Sequence, residues 1–308
     1  MNSFNRSPKK WLSFEDQLDL LVERGLIIKN KKFALPYLES IGYYRLSGYW
    51  YPFKEKIATG KLLNKFISNS YFQDVLDLYI FDKRLRLLAL DALERIEIAI
   101  RVDISYLLGE KESLAHTNSA KFDKSFQHEK WLSRYEELLN QSKKLEFIAH
   151  HNQYYGGRLP IWVATEIMDF GSLSKLYAGM KLKDKDKIAR KYRLPSGKNL
   201  ETQLHAFNII RNISAHHGRL WNRNAISRVS LKGLNDSNLQ KLSPNHMFLY
   251  FCLIKRMLNT ICPRSTWGKR FIDLIEEFPH PANKAISLNQ FGLIKDIDLK
   301  SWELWSKK

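Results

Sequence analysis

Cysteine and long apolar runs are scarce in this sequence, and each scarcity excludes a class of protein. The two cysteines, Cys252 and Cys262, are too few for a disulfide framework, and neither belongs to a cluster with metal-ligand spacing. The longest apolar run, residues 247–258, is interrupted by two cations and is too short for a membrane span. Residues 1–10 are polar and lack the apolar core of a signal peptide. We therefore expect a cytoplasmic protein that has no membrane partner.

Acidic residues are also few relative to basic ones. The chain has 32 Asp and Glu against 50 Lys and Arg, so its formal net charge is +18. So strong a cation predicts a polyanionic partner, with nucleic acid as the first candidate and an anionic membrane surface as the second. A charge that serves solubility alone is the remaining explanation. Many aromatic residues neighbour these cations, and such rings either stack on unpaired bases or belong to the core.

Glycine and proline are absent from residues 72–108, where apolar residues recur at three- and four-residue steps. This pattern predicts one long amphipathic helix, with a bend, or two helices nearly in line. Similar spacing elsewhere, including a helix from Leu200 to about His217, predicts an all-α fold of helices packed on helices. Residues 42–53, which combine two glycines, a proline and six aromatic residues, are expected to form an ordered loop or a short extended piece. Residues 181–187 alternate in charge and are expected to form a solvated connector.

One short stretch carries a candidate chemistry. Arg211 and His216 lie on the same otherwise apolar helix. Metal-independent RNA cleavage needs a base for the 2′-hydroxyl proton and an acid for the leaving 5′-oxygen, and histidine can serve as both because its pKa is near neutral. It also needs a fixed cation at the phosphate, for which the planar arginine fork is suited.

The spacing of this pair is weak support when it is taken alone, because an Arg-x4-His pattern arises easily by chance. Five helical steps turn the chain by about 500°, which leaves the two side chains about 140° apart around an ideal helix. They converge only if Arg211 reaches round, if the helix is distorted, or if a second copy completes the site. A surface arginine and a capping histidine near a helix end explain the same residues.

The wider sequence resembles the Abi-like proteins of the AbiD/AbiF type, which belong to the HEPN superfamily with its Arg-x4-6-His motif. The resemblance extends from about residue 10 to residue 225, whereas the C-terminal region departs from it. The segments that carry it are Gln17 with Arg24-Gly25-Leu26, residues 41–53, the helix containing Leu93-Glu94-Arg95-Ile96-Glu97, Leu159-Pro160-Ile161-Trp162, residues 166–174, residues 211–217, and Arg219-Leu220-Trp221-Asn222-Arg223.

The resemblance implies a HEPN-type helical bundle with additional N-terminal and C-terminal helices. It divides the chain into an N-terminal helical and aromatic region at 1–70, the motif-bearing helical domain at 71–260, and a C-terminal extension at 261–308. It also implies a homodimer in which the two motifs face each other and form one composite site, without a metal or other cofactor.

The same resemblance assigns the roles of the motif residues in an endoribonuclease that acts in phage defence or as a toxin. His216 would transfer protons, Arg211 would bind the scissile phosphate, and Asn212 would orient the site or hydrogen-bond RNA. His217 is the second choice for the catalytic histidine. The expected products are a 2′,3′-cyclic phosphate and a 5′-hydroxyl.

A bound small non-coding RNA is a further expectation, because some Abi-like proteins are associated with one. The candidate RNA contacts are basic and aromatic residues of two segments, namely Arg219, Arg223, Tyr43, Tyr44, Arg45, Tyr49 and Trp50. The alternative function is a non-catalytic RNA-binding protein whose motif only grips phosphate. A metal-dependent hydrolase is a third possibility, although the nine histidines show no zinc-type spacing.

Overall fold

The computed structural model describes residues 10–225 and 227–306, so most of the polar N-terminal segment lies outside the described residues. Helices account for 61% of the structure, with fourteen α-helices and one two-stranded sheet in the described part of the chain. The all-α prediction is therefore confirmed. Among the same residues, no helix combines the length and apolar character that a bilayer crossing needs. The helices are α1 (Phe14–Glu23), α2 (Lys31–Ile41), α3 (Tyr43–Trp50), α4 (Phe72–Gly109), α5 (His128–Gln141), α6 (Glu146–Tyr154), α7 (Ile161–Ala164), α8 (Phe170–Gly179), α9 (Leu182–Lys191), α10 (Gly197–Ala215), α11 (Ser237–Lys241), α12 (Met247–Ile261), α13 (Trp267–Glu276) and α14 (Glu303–Ser306).

The chain forms two compact units. One consists of Met1–Arg84 and Leu274–Leu288, and the other of Leu85–Asp273 and Asn289–Lys308. The division into regions 1–70, 71–260 and 261–308, given in the sequence analysis, stays a prediction.

The first unit contains helices α1 to α3, the sheet and the beginning of α4. Strands β1 (Lys54–Lys56) and β2 (Leu62–Phe66) pair antiparallel. Helix α1 begins after a serine N-cap, where the Ser13 hydroxyl accepts a hydrogen bond from the Asp16 amide at 3.1 Å. The core of this first unit includes Phe53 and Trp50, which are fully or almost fully buried.

The second unit holds the rest of α4 and most of the later helices. Helix α8 packs against both α10 and α5, and α10 also packs against α9 and α12. The C-terminal tail adds an aromatic layer, in which Trp305 stacks on Phe271 with ring centroids 4.6 Å apart. The tail therefore contributes to the core of this unit, which its mixed composition did not indicate.

Two local predictions were wrong. Residues 42–53 form helix α3 and a 3₁₀ turn, because Leu46, Tyr49 and Trp50 supply a buried helical face. Residues 181–187 lie mostly in α9, where Ile188 and Ala189 are buried one turn further on. Helix α4 is a single element of 38 residues.

Candidate functional site

Helix α10 positions the candidate motif. It begins where the Ser196 hydroxyl accepts a hydrogen bond from the Asn199 amide. Its buried residues, including Phe207 and Ile210, fix the helix in the second unit. Arg211 is half-buried one residue after this face, whereas Asn212 is exposed. The packing therefore leaves the last turn of the helix with polar side chains at the surface.

The carboxyl end of α10 is a tight reversal. The His216 amide donates to the Asn212 carbonyl at 3.0 Å, and the Gly218 amide donates to the Ile213 carbonyl at 2.8 Å. His217 lies between them with φ of 57°, in the left-handed region that glycine usually occupies at this position. The reversal ends the helix and exposes both His216 and His217.

The backbone at His217 is strained relative to glycine. A non-glycine residue in the left-handed region costs about 1–2 kcal/mol. Such strain occurs often at functional sites, because the surrounding structure must hold it in place. The left-handed backbone at His217 therefore marks the end of α10 as a candidate functional segment.

Arg211 lies close to a buried charge pair on α4. Its Nη1 donates to Asn212 Oδ1 at 3.2 Å. Burial raises the pKa of Glu97 above its usual value, and the positive charges of Arg101 and Arg211 partly oppose that rise. Glu97 is bound directly by Arg101 at 3.0 Å, as the i,i+4 spacing predicted. Arg211 is therefore near a carboxylate that already has a closer cationic partner.

The Arg101 guanidinium connects α4 to the segment before α8. It donates to the Met168 carbonyl at 3.0 Å and to a Glu166 oxygen at 3.4 Å. Helix α8 approaches α10 at its first turn, since a Cβ built on Gly171 would lie 3.5 Å from the Asn208 amide nitrogen. The surroundings of Arg211 thus come from α4, α8 and α10 together.

Sequence reasoning missed this supporting set. The i,i+4 spacing of Glu97 and Arg101 predicts a pair on the helix surface, whereas both side chains are only 15% exposed. No local pattern places α4 beside residue 211, because that proximity depends on how the helices pack. The buried i,i+4 pair on a helix with an apolar face was the only signal available.

The loop after α10 keeps two of the candidate RNA contacts near the motif. Leu220 and Trp221 are fully buried and anchor the loop. Arg219 and Arg223 are half-buried, and Arg223 Nη1 would lie 3.8 Å from a Cβ built on Gly218. Two further cations therefore accompany the helix end that bears His216.

The aromatic segment on α3 belongs to the first unit and is only partly accessible. Tyr49 and Trp50 are each 2% exposed, and the Tyr49 hydroxyl donates to Asp82 at 2.7 Å. A base cannot reach these two rings, so burial removes them from the candidate RNA contacts. Tyr43 is half-buried, and its hydroxyl accepts from Arg24 at 2.9 Å.

Two residues of the same segment are open to solvent. Tyr44 is 91% exposed and Arg45 is also exposed. Only these two keep the accessibility that an RNA contact on α3 would need.

No group of three or more His, Cys, Asp or Glu side chains in residues 10–225 and 227–306 is arranged to hold a metal ion.

Comparison with known proteins gives one family. The model of a family described as Abi-like protein matches residues 36–222, which is more than half of the chain and includes Arg211, His216 and the loop up to Asn222. No curated protein and no solved structure matches. The chain therefore belongs to the Abi-like protein family, whose name refers to abortive infection, a defence against phage.

Proposed function

We propose that this protein is a metal-independent endoribonuclease that acts in phage defence or as an RNA-targeting toxin. His216 transfers protons between the attacking 2′-hydroxyl, the solvent and the leaving 5′-oxygen. Arg211 binds the scissile phosphate as negative charge develops on it. Asn212 orients the arginine fork or hydrogen-bonds RNA. The products are a 2′,3′-cyclic phosphate and a 5′-hydroxyl.

The observation that carries this proposal is the exposed helix end of α10. It presents an imidazole that has no side-chain hydrogen bond to the described residues, and the same helix end carries an arginine that is held by its neighbour Asn212. An acid-base histidine must be reachable by substrate, and a phosphate-binding arginine must be oriented before the substrate arrives. The Arg211 and His216 pair meets both requirements.

The electrostatics support phosphate binding at Arg211. Because Arg101 binds Glu97 more closely, the Arg211 charge is only partly offset by that carboxylate. Arg219 and Arg223 follow in the same loop, and the chain as a whole carries a net charge of +18. A polyanionic substrate is thus attracted to the protein before it reaches the site.

We propose that a second copy of the chain completes the site. On an ideal helix Arg211 and His216 are about 140° apart, so one copy does not direct both side chains to one phosphate. Helix α4, which carries Glu97 and Arg101, also exposes a stripe at i, i+4 and i+8. Ile98, Val102 and Tyr106 are 51%, 56% and 79% exposed there. An apolar stripe beside the site is the surface that a second copy would cover.

Cleavage of a labelled single-stranded RNA tests the catalytic assignment. His216→Ala and Arg211→Ala are each expected to lower the rate by at least about a hundredfold, the usual contribution of acid-base catalysis. The matched controls are His205→Ala, an exposed histidine on the same helix, and Arg190→Ala, an exposed arginine on α9. Both controls should cut at the wild-type rate. Equal activity in the motif variants and the controls would rule out the assignment.

Size-exclusion chromatography with light scattering tests the dimer. Val102→Asp places a charge in the exposed stripe and is expected to shift the protein from dimer to monomer and to reduce cleavage. Leu145→Asp is the matched control, because Leu145 is 45% exposed at the N-cap of α6, outside the stripe. A monomeric wild type with full activity would contradict the composite site.

We also propose that the protein binds or is regulated by a small non-coding RNA. The net charge and the arginines after α10 support an RNA partner beyond the scissile strand. Sequencing of RNA that co-purifies with the protein in 0.5 M salt, where non-specific contacts weaken, tests this. One enriched species is expected, and a random sample of cellular RNA would contradict it. RNA bound by an intact wild type that never cuts would instead indicate a non-catalytic binding protein.

A further inference from the structure

A cavity in the second unit combines an aromatic wall with a cationic rim. It has a volume of about 570 Å³, within the range of small-ligand sites, and lies between α5 and α8. No acidic side chain is among the described residues that line it. Its aromatic wall is the half-buried ring of Phe126, with Trp131 next to it at only 4% exposure, and its rim includes Lys130, Arg134 and Lys175.

The aromatic wall is held rigidly. The ring of Phe126 lies directly on α8 at Gly179, where an added Cβ would be 2.4 Å from Phe126 Cγ. The Trp131 indole donates to the Ser172 carbonyl at 2.9 Å and stacks on Tyr135 at 5.9 Å. The Phe126 and Trp131 rings are 6.3 Å apart and inclined by 46°. The cavity therefore offers a preformed apolar surface whose shape does not depend on a ligand.

The cations of the rim differ in their partners. Arg134 forms ion pairs with Glu137 at 2.8 Å and Asp169 at 3.1 Å. Lys130 and Lys175 are exposed, and neither forms an ion pair with any residue in the described part of the chain. Two ammonium groups are thus available to an anion that enters with an aromatic group.

We propose that this cavity binds one nucleotide of a single-stranded RNA. The base stacks on Phe126, whose ring Trp131 supports from the buried side, and its phosphate contacts Lys130 and Lys175. Aromatic faces accept any base, while lysines follow the sugar-phosphate backbone. The proposal rests on the RNA-binding part of the proposed function and adds a subsite away from the motif.

The position of the cavity relates it to Arg211. Helix α8 lines the cavity with Lys175 and Gly179, and its first turn lies against Asn208 of α10, one turn before Arg211. From Gly171 to Gly179 the axis of α8 rises about 12 Å. The cavity and the motif are thus joined by one packed helix, at a spacing of a few nucleotides.

Fluorescence anisotropy with a 5′-labelled single-stranded RNA octamer tests the subsite. All proteins carry His216→Ala, so that binding is measured without cleavage. Phe126→Leu keeps an apolar side chain on Gly179 and removes the aromatic face. It is expected to weaken binding at least about fivefold without changing the salt dependence. Lys175→Ala should also weaken binding and should lower the slope of log K against log salt by about 0.7.

Lys144→Ala is the matched control, since Lys144 is an exposed lysine beyond the far end of α5, about 20 Å from Lys130 along that helix. It should change neither affinity nor slope beyond the effect of one distant charge. Equal affinities for Phe126→Leu, Lys175→Ala and Lys144→Ala, with melting temperatures unchanged, would overturn the subsite.

A competition experiment measures whether AMP or UMP displaces the octamer from this cavity. Tight binding of a mononucleotide with no effect of Phe126→Leu on the octamer would overturn the assignment to an RNA strand.

Cross-linking separates this proposal from the catalytic one. An octamer that contains 4-thiouridine is expected to cross-link to the peptide that includes Phe126 and Trp131. If the wild type proves unable to cut RNA and this cross-link still forms, the subsite stands and the ribonuclease does not. If His216→Ala abolishes cleavage but no cross-link forms near Phe126, the subsite is overturned and the ribonuclease stands.

Discussion

Replacing His217 by glycine should leave the protein more stable than replacing it by alanine, because both changes remove the side chain and only glycine releases the backbone strain. His217 has φ of 57° and follows the last residues of α10, in the position where glycine most often ends a helix. Release of left-handed strain is worth about 1–2 kcal/mol, and the greater freedom of glycine in the unfolded chain offsets about 0.5–1 kcal/mol. The net expectation is that the glycine variant exceeds the alanine variant by about 0.5–1 kcal/mol in the free energy of unfolding.

Comparison with alanine isolates the backbone effect. His217→Ala removes the same side chain but keeps the strain, so it should be about 1 kcal/mol less stable than His217→Gly. Ala215→Gly is the opposite control, because residue 215 is the last in α10 and glycine within a helix costs about 0.5–1 kcal/mol. Urea denaturation of the three variants gives these differences from the unfolding midpoints. A glycine variant at 217 that is no more stable than the alanine variant would refute the strain argument.

The variant His217→Gly also tests which of the two histidines, His216 or His217, transfers the proton. If His216 is the proton-transfer group, His217→Gly should retain most of the cleavage activity. His216 has φ of −88° and His217 has φ of 57°, so the two side chains leave the backbone in different directions and one imidazole does not replace the other without a change in the backbone. Loss of cleavage in His217→Gly with a normal or raised stability would assign the proton transfer to His217 and contradict its assignment to His216.

Three further predictions concern charge and capping. Burial lowers the pKa of His116 to about 4, so the folded state binds fewer protons than the unfolded state between pH 4 and 6.5. The wild type should lose about 3 kcal/mol as pH falls through that window, and His116→Leu should not, as urea titrations at pH 7 and 4 would show. Burial raises the pKa of Glu97, so its ionisation disfavours folding above pH 4.5; Glu97→Gln should gain stability relative to the wild type as pH rises from 4 to 7. Asp169→Ala removes the N-cap of α8 and should cost about 1 kcal/mol in urea denaturation, whereas Asp169→Asn should cost less.

Helix periodicity was enough to predict the fold class. The absence of glycine and proline over residues 72–108 correctly indicated a long helix, because no local signal interrupts the apolar spacing. Capping was also readable at Ser13, where a hydroxyl precedes an apolar stripe. These features depend on residues close in sequence, which is why sequence reasoning reached them.

Helix α3 shows where that reasoning failed. Two glycines and a proline near six aromatic residues suggested a loop, yet Leu46, Tyr49 and Trp50 form one buried face. Burial of such large side chains outweighs a glycine inside the helix, which costs only about 1 kcal/mol. The amount of burial depends on tertiary packing, and no local pattern specifies it.

The candidate site also has one part that the sequence predicts and another part that depends on tertiary packing. Arg211, His216 and His217 were identified from one short motif and from family resemblance. The proximity of Arg211 to Glu97, and the contact of Arg101 with the Met168 carbonyl, join residues more than sixty positions apart. Such contacts follow from the packing of α4, α8 and α10, and the sequence holds no local signal for them.

The most direct test of the central claim is RNA cleavage by purified protein in the presence of EDTA. Wild type and His205→Ala should cut a single-stranded RNA equally and leave 2′,3′-cyclic phosphate ends, which mass spectrometry of the fragments identifies. His216→Ala should bind the same RNA with unchanged affinity and leave it intact. Cleavage by His216→Ala at the wild-type rate, or cleavage that EDTA abolishes, would contradict a metal-independent histidine mechanism at the end of α10.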